Sequence, residues 1–324
     1  MPNSVTLHPA TAGQDGKSQN NPVYELNSVV RQWLPPLGTL PVDAKINDVT
    51  LAELATHTSC LTRDVPGQNS GLYCPGGAPD QTQIDAWRDN KNWLPRCTMG
   101  QSRNYSNWGT LTLGFAVAQP DSYDYDASLA KFILPYFGMT KAITNTCPDT
   151  VCVQGYGPGG NHTRPKNSAH SIRTNIAEIT SFVSNYLYYS ILRQFVPVTE
   201  KQQFLVDMVD LALKRPIEFV AVGLDWFISD FTVANASYTL FDKNGMSGAQ
   251  GFSSYVGFIN TPQSWPRQSL IQAGVLVLVN MAMQGARPTP TALGKSILSY
   301  LLGGGLTVSD DDEELEDSDP KDAR

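Results

Sequence analysis

No apolar stretch in this sequence is both long and unbroken. The longest, Leu270 to Ala286, is interrupted by Gln272, Asn280 and Gln284, so it suits a buried strand and turn better than a bilayer span. The opening segment, MPNSVTLHPATAGQDGKSQNN, has no cationic start leading into an apolar run and is not expected to be an export signal. Metal-binding spacing is missing too. Cys60, Cys74, Cys97, Cys147 and Cys152 show no zinc pattern, and the four histidines are scattered, so no metal and no cofactor is implied. Nor is there a basic excess. The formal net charge is -7, but residues 309–324 (SDDDEELEDSDPKDAR) hold nine of the 30 acidic residues and two of the 23 basic ones, which leaves 21 of each sign in the body. A neutral body argues against nucleic acid as a partner. The acidic tail, poor in apolar residues, is expected to be solvated and disordered.

What is present reads as globular: 41% apolar and 16% charged residues in 324, enough for one large domain or two lobes. Residues 1–22 are polar and expected to be irregular. Helical signals follow. Thr50-x-x-Glu53 forms a capping box opening LAELATHTS, and Thr82 is placed to cap QIDAWRDNKNWL. Leu111, Phe115 and Ala118 share one face of a helix after Asn107. Asn175-x-x-Glu178 caps a long helix with Ile176, Ile179, Phe182, Val183, Tyr186 and Leu187 at helical spacing. The period then changes. FVAVGLDWFI (219–228), SYTLFD (237–242), FSSYVGFI (252–259) and AGVLVLVNMA (273–282) read as strands, with turns at Asn244-Gly245 and Asn260-Thr261-Pro262. TALGKSILSYLL (292–302) is an apolar helix after them. Helices first and an antiparallel meander later predict an α+β architecture. The glycine-rich run Gly155 to Gly160 lacks a following Lys-Ser/Thr and is read as a loop rather than a phosphate cradle.

In an oxidising compartment Cys74 with Cys97 and Cys147 with Cys152 are candidate disulfides that would leave Cys60 free, although sequence alone does not fix the pairing. Sequons stand at Asn104, Asn161 and Asn235. His57 reads as a hydrogen-bonded structural histidine, and Trp87 and Trp93 as core.

Two short motifs carry chemistry. Tyr105-Ser106-Asn107 precedes an apolar helix, and Lys243-Asn244-Gly245 precedes a glycine-rich strand. Acyl transfer needs a nucleophile, a group that takes its proton, donors for the oxyanion and a clamp for the substrate. Tyr105 suits proton transfer if its phenol is held near cations, and Asn107 can offer its amide to a substrate carbonyl. Lys243 supplies a cation for Tyr105 and for a substrate carboxylate. The backbone N–H of Met246 is where an oxyanion donor would sit, and Gly245 and Gly248 keep the strand edge clear. Taken alone, Tyr-x-Asn is a weak signal and Lys-Asn-Gly reads as a hairpin turn.

The surrounding blocks raise their weight. VTLAELATHTSCLTRDVPG (49–67), RNYSNWGTLTLGFAVA (103–118), LAKFILPYFGMTKAITNT (129–146), SIRTNIAEITSFVSNYL (171–187) and FDKNGMSGAQGFSSYVGFI (241–259) resemble, in order, blocks of the serine β-lactamases of class C and the penicillin-binding peptidases and esterases. They are most similar to periplasmic D-alanyl-D-alanine carboxypeptidase/esterase-like members. The resemblance runs from about Val23 to Gly303. It implies a helical lobe (about 23–200) packed on an α/β lobe with an antiparallel sheet (about 201–303), followed by the acidic tail from 304. It also implies a serine hydrolase acting through an acyl-enzyme on β-lactam, D-Ala peptide or ester bonds, in a secreted or periplasmic setting. Tyr105 and Lys243 would be catalytic, and Asn107, Asn244, Gly245 and Met246 substrate-binding. Two departures stand out: Asn244 replaces a Thr or Ser, and Cys60 replaces a small residue after THTS.

The family's first motif, S-x-x-K, has no match in place. Ser128-Leu129-Ala130-Lys131 comes after Tyr105, in a block matching a different helix, and Ser4 has Leu7 where Lys is needed, with Pro9 close behind. No nucleophile is therefore assigned. A truncated product lacking the N-terminal strands and the nucleophile helix is expected, with activity as written left open. The alternative is a non-catalytic pseudoenzyme that keeps the cleft as a binding or regulatory module.

Overall fold

The computed structural model describes residues 4–6, 23–34, 45–64, 79, 81–89, 93–94, 96–139, 176–192, 226–247, 252–260, 273–279 and 289–305. The chain divides into two compact units, the first built mainly from residues 1–146 and the second mainly from 226 onward, with residues 179–187 belonging to the second.

The first unit contains a short antiparallel pair, β1 (Ser4–Thr6) and β2 (Val23–Glu25), in the register Ser4 to Glu25. The opening segment is thus not wholly irregular. The capping box forms as the sequence implies. Thr50 Oγ1 accepts from the Glu53 N–H at 3.2 Å and a Glu53 carboxylate oxygen accepts from the Thr50 N–H at 2.8 Å, opening α1 (Leu51–Ala55). The helix stops at His57, whose φ is +59°. The His57 N–H reaches back to the Leu54 carbonyl and the Thr58 N–H to the Glu53 carbonyl, a Schellman closure with a histidine in the position that glycine usually takes.

Helix α2 runs from Gln81 to Arg88, so Thr82 lies inside it rather than capping it, and it ends well before Leu94. Helix α3 (Asn107–Ala118) buries Leu111, Phe115 and Ala118 together, but also Trp108, Gly109 and Thr112, so that most of its circumference faces protein. Trp87 donates its indole N–H to Thr112 Oγ1 at 3.0 Å and meets Phe115 edge-on. Trp87 and Trp93 both belong to the apolar core around Val30, Leu54, Leu61 and Trp108, in keeping with the core role expected of them. Helix α4 (Tyr125–Phe132) starts on an Asp124 cap that accepts from the Ala127 N–H.

Helix α5 spans Ile176–Leu192. Val183 and Tyr186 are buried as the period predicts, whereas Ile176 at the start is 59% exposed. The proposed Asn175 cap lies outside the described residues.

The second unit is a four-stranded antiparallel meander, β3 (Phe227–Val233), β4 (Ala236–Ser247), β5 (Phe252–Asn260) and β6 (Ala273–Val279), in sequence order. Three of the four strands read from period 2 are found, with β4 extended to Ser247. The first reading, 219–228, meets β3 only at Phe227 and Ile228: residues 219–225 lie outside the described residues, and β3 runs on to Val233. A two-residue turn, Ala234-Asn235, with φ of +48° and +65°, joins β3 to β4. Helix α6 (Pro290–Leu301), capped by Thr289, packs on one face over Leu240, Tyr255, Ile259, Val275 and Val277. On the other face Phe258 stacks on Phe241 and meets Tyr186 and Trp226. Burial pushes the Tyr186 phenol well above the ordinary tyrosine range, partly opposed by its hydrogen bond with Trp226.

The Cys74/Cys97 pairing with a free Cys60 is overturned: Cys60 and Cys97 form a disulfide with Cα atoms 5.6 Å apart. Cys74, Cys147 and Cys152 lie outside the described residues, as do the Asn161 sequon, the 155–160 loop, the Asn260-Thr261-Pro262 turn beyond its first residue, and the tail beyond Gly305. Cys60 itself sits at φ +64°. Glycine adopts that left-handed backbone without strain, whereas a residue with a side chain adopts it at a cost.

Candidate active site

In the first unit the Tyr105 motif is the entry to α3. Ser106 is the cap: its Oγ accepts from the Gly109 N–H at 2.8 Å and donates to the Thr62 carbonyl at 2.8 Å. Its own N–H donates to His57 Nδ1 at 3.3 Å. The His57 ring lies 4.7 Å from the Tyr105 ring, centroid to centroid. His57 is 2% exposed and supports the motif's backbone, in line with its structural reading. On the other side the Arg63 guanidinium stands 5.6 Å from the Tyr105 ring centroid, a distance at which a cation is attracted to the ring face.

Asn107 is buried, and its Nδ2 donates to Asp64 Oδ1 at 3.0 Å while its Oδ1 has no hydrogen-bond partner among the described residues. Sequence reasoning passed over Thr62, Arg63 and Asp64. Their signal was position alone: they directly follow THTSCL, the block that resembles the family's. The Asn104 side chain donates to Cys97 Sγ at 3.2 Å and to the Ser102 carbonyl, so this sequon residue is tied into the same turn.

In the second unit Lys243-Asn244-Gly245 is not a hairpin turn, which corrects the local reading. All three residues lie inside β4, opposite Val256, Tyr255 and Ser254 of β5, with Met246 opposite Ser253. The asparagine–glycine turn preference loses here to a ladder of nine paired positions. The pairing of β3 with β4 ends at Phe227–Asp242. From Lys243 onward, β4 therefore pairs with β5 alone among the described residues. A Cβ at Gly245 would come 3.0 Å from Ser254 Oγ, which donates to the Gly245 carbonyl, so a side chain there would crowd the strand. The Lys243 ammonium lies 5.5 Å from the Phe227 ring centroid. Next to it, buried Asp242 accepts from the Tyr255 hydroxyl at 3.1 Å.

The two alternative serines do not fit a nucleophile. Ser128 is 3% exposed and donates to Asp121 Oδ2 at 2.8 Å, and Lys131 binds the other oxygen of the same carboxylate at 3.2 Å. Serine and lysine are both engaged in holding α4 to the turn before it. Ser4 lies on a strand, not on a helix. Among the described residues no group of three or more His, Cys, Asp or Glu is placed to hold a metal ion, and no helix is long and apolar enough to cross a membrane.

A helical unit and a unit built on an antiparallel sheet make an α+β protein, and its fold is that of the β-lactamases and penicillin-binding proteins among the solved structures it matches. The comparisons agree. The family model "Beta-lactamase" matches residues 17–290, so the chain belongs to the Beta-lactamase family, a family of serine hydrolases. A "Beta-lactamase" of Providencia stuartii is 30% identical over 115 residues, 36% of this chain and 26% of the relative. The octameric penicillin-binding protein homologue from Pyrococcus abyssi matches with a TM-score of 0.55 and 20% identity over 87% of this chain and 61% of that one. A class C β-lactamase from Rhodobacter sphaeroides matches with a TM-score of 0.60 and 17% identity over 86% and 78%. The chain thus spans about a quarter of the curated relative and under two thirds of the Pyrococcus homologue.

Proposed function

We infer that the chain carries the proton-transfer and substrate-binding parts of a serine acyl hydrolase that acts on β-lactam, D-Ala-D-Ala peptide or small ester bonds. The observation that carries this is the strand setting of Lys243-Asn244-Gly245. It removes the turn explanation for the triplet and supplies an extended backbone, paired with β5, along which an acyl substrate can lie. In the reaction a serine Oγ attacks the acyl carbonyl while Tyr105 takes its proton, and the carbonyl oxygen becomes an oxyanion held by the Met246 N–H. Collapse breaks the C–N or C–O bond, and Tyr105 returns the proton to the departing nitrogen or oxygen. Asn107 binds an acyl-side carbonyl; Lys243 and Asn244 bind the substrate carboxylate. Water then releases the acyl group. The attacking serine is not assigned to any residue of this chain.

The test is the acylation rate with a fluorescent penicillin, on protein expressed with any coding sequence that precedes Met1. Tyr105→Phe should slow acylation by about 10²-fold or more, the usual range for losing a proton-transfer group, and Lys243→Ala should slow it by removing the cation that meets the substrate carboxylate, while Ser128→Ala should leave it unchanged. Rates that persist in Lys243→Ala would remove its role. A folded protein that binds the probe without acylation would favour the non-catalytic binding module.

A further inference from the structure

Three consecutive residues hold the turn that carries the Tyr105 motif. The Thr62 carbonyl accepts from Ser106 Oγ, the Arg63 carbonyl accepts from the Trp108 N–H, and Asp64 Oδ1 accepts from Asn107 Nδ2. The last of these bears on chemistry as well as on shape. An asparagine side chain has one end that only donates and one that only accepts, and an ionised carboxylate only accepts. At 3.0 Å from the Asp64 oxygen, the amide must turn its nitrogen toward the carboxylate, because the opposite rotamer would set oxygen against oxygen. The Asn107 Oδ1 has no hydrogen-bond partner among the described residues to hold it from the other side. Among the described residues, Asp64 is the side chain that decides which way this amide faces.

We propose that Asp64 is a positioning residue: it locks the Asn107 amide so that a ligand meets its second N–H, which makes a carbonyl the group selected at that point. The Asp64 hold rests on geometry alone; the ligand carbonyl rests on the role given to Asn107 above. A charge-assisted bond to Asp64 also polarises the amide and strengthens the second N–H as a donor.

Two readouts test this. The first is the side-chain amide resonance of Asn107 in the ¹⁵N-labelled chain, assigned with Asn107→Ala. In the wild type one of its two amide protons should lie downfield of its partner. In Asp64→Leu both should return to free-amide positions. In the isosteric Asp64→Asn, whose own amide can donate to Oδ1, the signal should split into two orientations. Wild-type protons already at free-amide positions would overturn the proposal.

The second readout is the affinity for acetyl-D-alanyl-D-alanine by calorimetry. Asp64→Leu should weaken it about tenfold, which is 1.4 kcal/mol, and should weaken it no further in an Asn107→Ala background, because Asp64 acts through Asn107. Losses that multiply in the double variant would mean a merely structural role and would also overturn it. Failure of the wider reading looks different. A wild type that binds no peptide and takes no penicillin overturns the function proposed above, and the ligand-carbonyl half of this proposal with it, while the Asn107 spectrum alone decides the Asp64 hold.

Discussion

The Cys60–Cys97 disulfide fastens the segment that supports the Tyr105 motif, and cutting it tests how far that support depends on the crosslink. The perturbation of choice is Cys60→Gly with Cys97→Ala. Glycine suits the φ of +64° at position 60, so the substitution adds no backbone strain of its own. The bridge spans 37 residues. Closing a loop of that size in the unfolded chain corresponds to about 4 kcal/mol at 25 °C in the chain-entropy treatment. That is a large share of a net stability of about 5–15 kcal/mol. The hydrogen bonds that run alongside remain possible without it: Leu94 N–H to the Cys60 carbonyl, Gly100 N–H to the Thr58 carbonyl and Asn104 N–H to the His57 carbonyl. Urea unfolding of the double variant should therefore show a cooperative transition and a stability lower by about 4 kcal/mol. Its slope should be equal to or steeper than that of the crosslinked chain, because the unfolded state is released from its loop. Amide exchange at Asn104 and Ser106, whose acceptors both belong to His57, should quicken. A loss under about 1 kcal/mol with unchanged exchange would refute the claim that the crosslink holds this segment in place.

Other consequences can be checked directly. A Cβ at Gly294 would fall 2.2 Å from a Tyr255 ring carbon, and Tyr255 is 1% exposed and already against Gly257. Gly294→Ala should therefore cost about 1–3 kcal/mol from overpacking, and more if the Tyr255 hydroxyl is driven off Asp242, as thermal unfolding would show. Thr50→Ala removes the capping oxygen of α1 and should cost about 1 kcal/mol, whereas the same measurement on Thr82→Ala, inside α2, should show no capping loss. Burial raises the Tyr186 phenol above its unfolded value. The stability this tyrosine supports is therefore fully present below about pH 10 and falls as the pH rises beyond it, because the unfolded chain then releases a proton that the folded one keeps. Tyr186→Phe should flatten that alkaline decline in a pH series of urea midpoints.

The parts of the fold that were legible in sequence are those written by local rules. Thr50 and Glu53 form their box because both partners lie within one turn, and Leu111, Phe115 and Ala118 share a face because the helical period sets them there. Strands β4 to β6 were legible for the same reason, each carrying its own alternation, whereas the reading of the first strand met β3 only at Phe227 and Ile228. What escaped depended on distant partners. Nothing in the spacing of five cysteines distinguishes Cys60–Cys97 from Cys74–Cys97; the choice is made where the turn at residues 57–61 lies along residues 94–104. Lys243-Asn244-Gly245 carries a turn signal, and only the pairing with Val256, Tyr255 and Ser254 overrides it. Ser4–Thr6 is too short to announce a strand without β2 beside it. Tyr105, Asn107 and Lys243 were singled out by their motifs, but the contacts of Asp64 with Asn107 and of Arg63 with the Tyr105 ring join residues about forty positions apart and leave no motif in the sequence.

The central claim is that this chain's motifs serve covalent acyl transfer. The most direct measurement is the intact mass of the protein, expressed with any coding sequence that precedes Met1, before and after exposure to benzylpenicillin, with peptide mapping of any adduct. The account predicts a single adduct on a serine other than Ser4 and Ser128, formed much more slowly in Lys243→Ala. An adduct on Ser128, or no adduct on a folded protein, would contradict it.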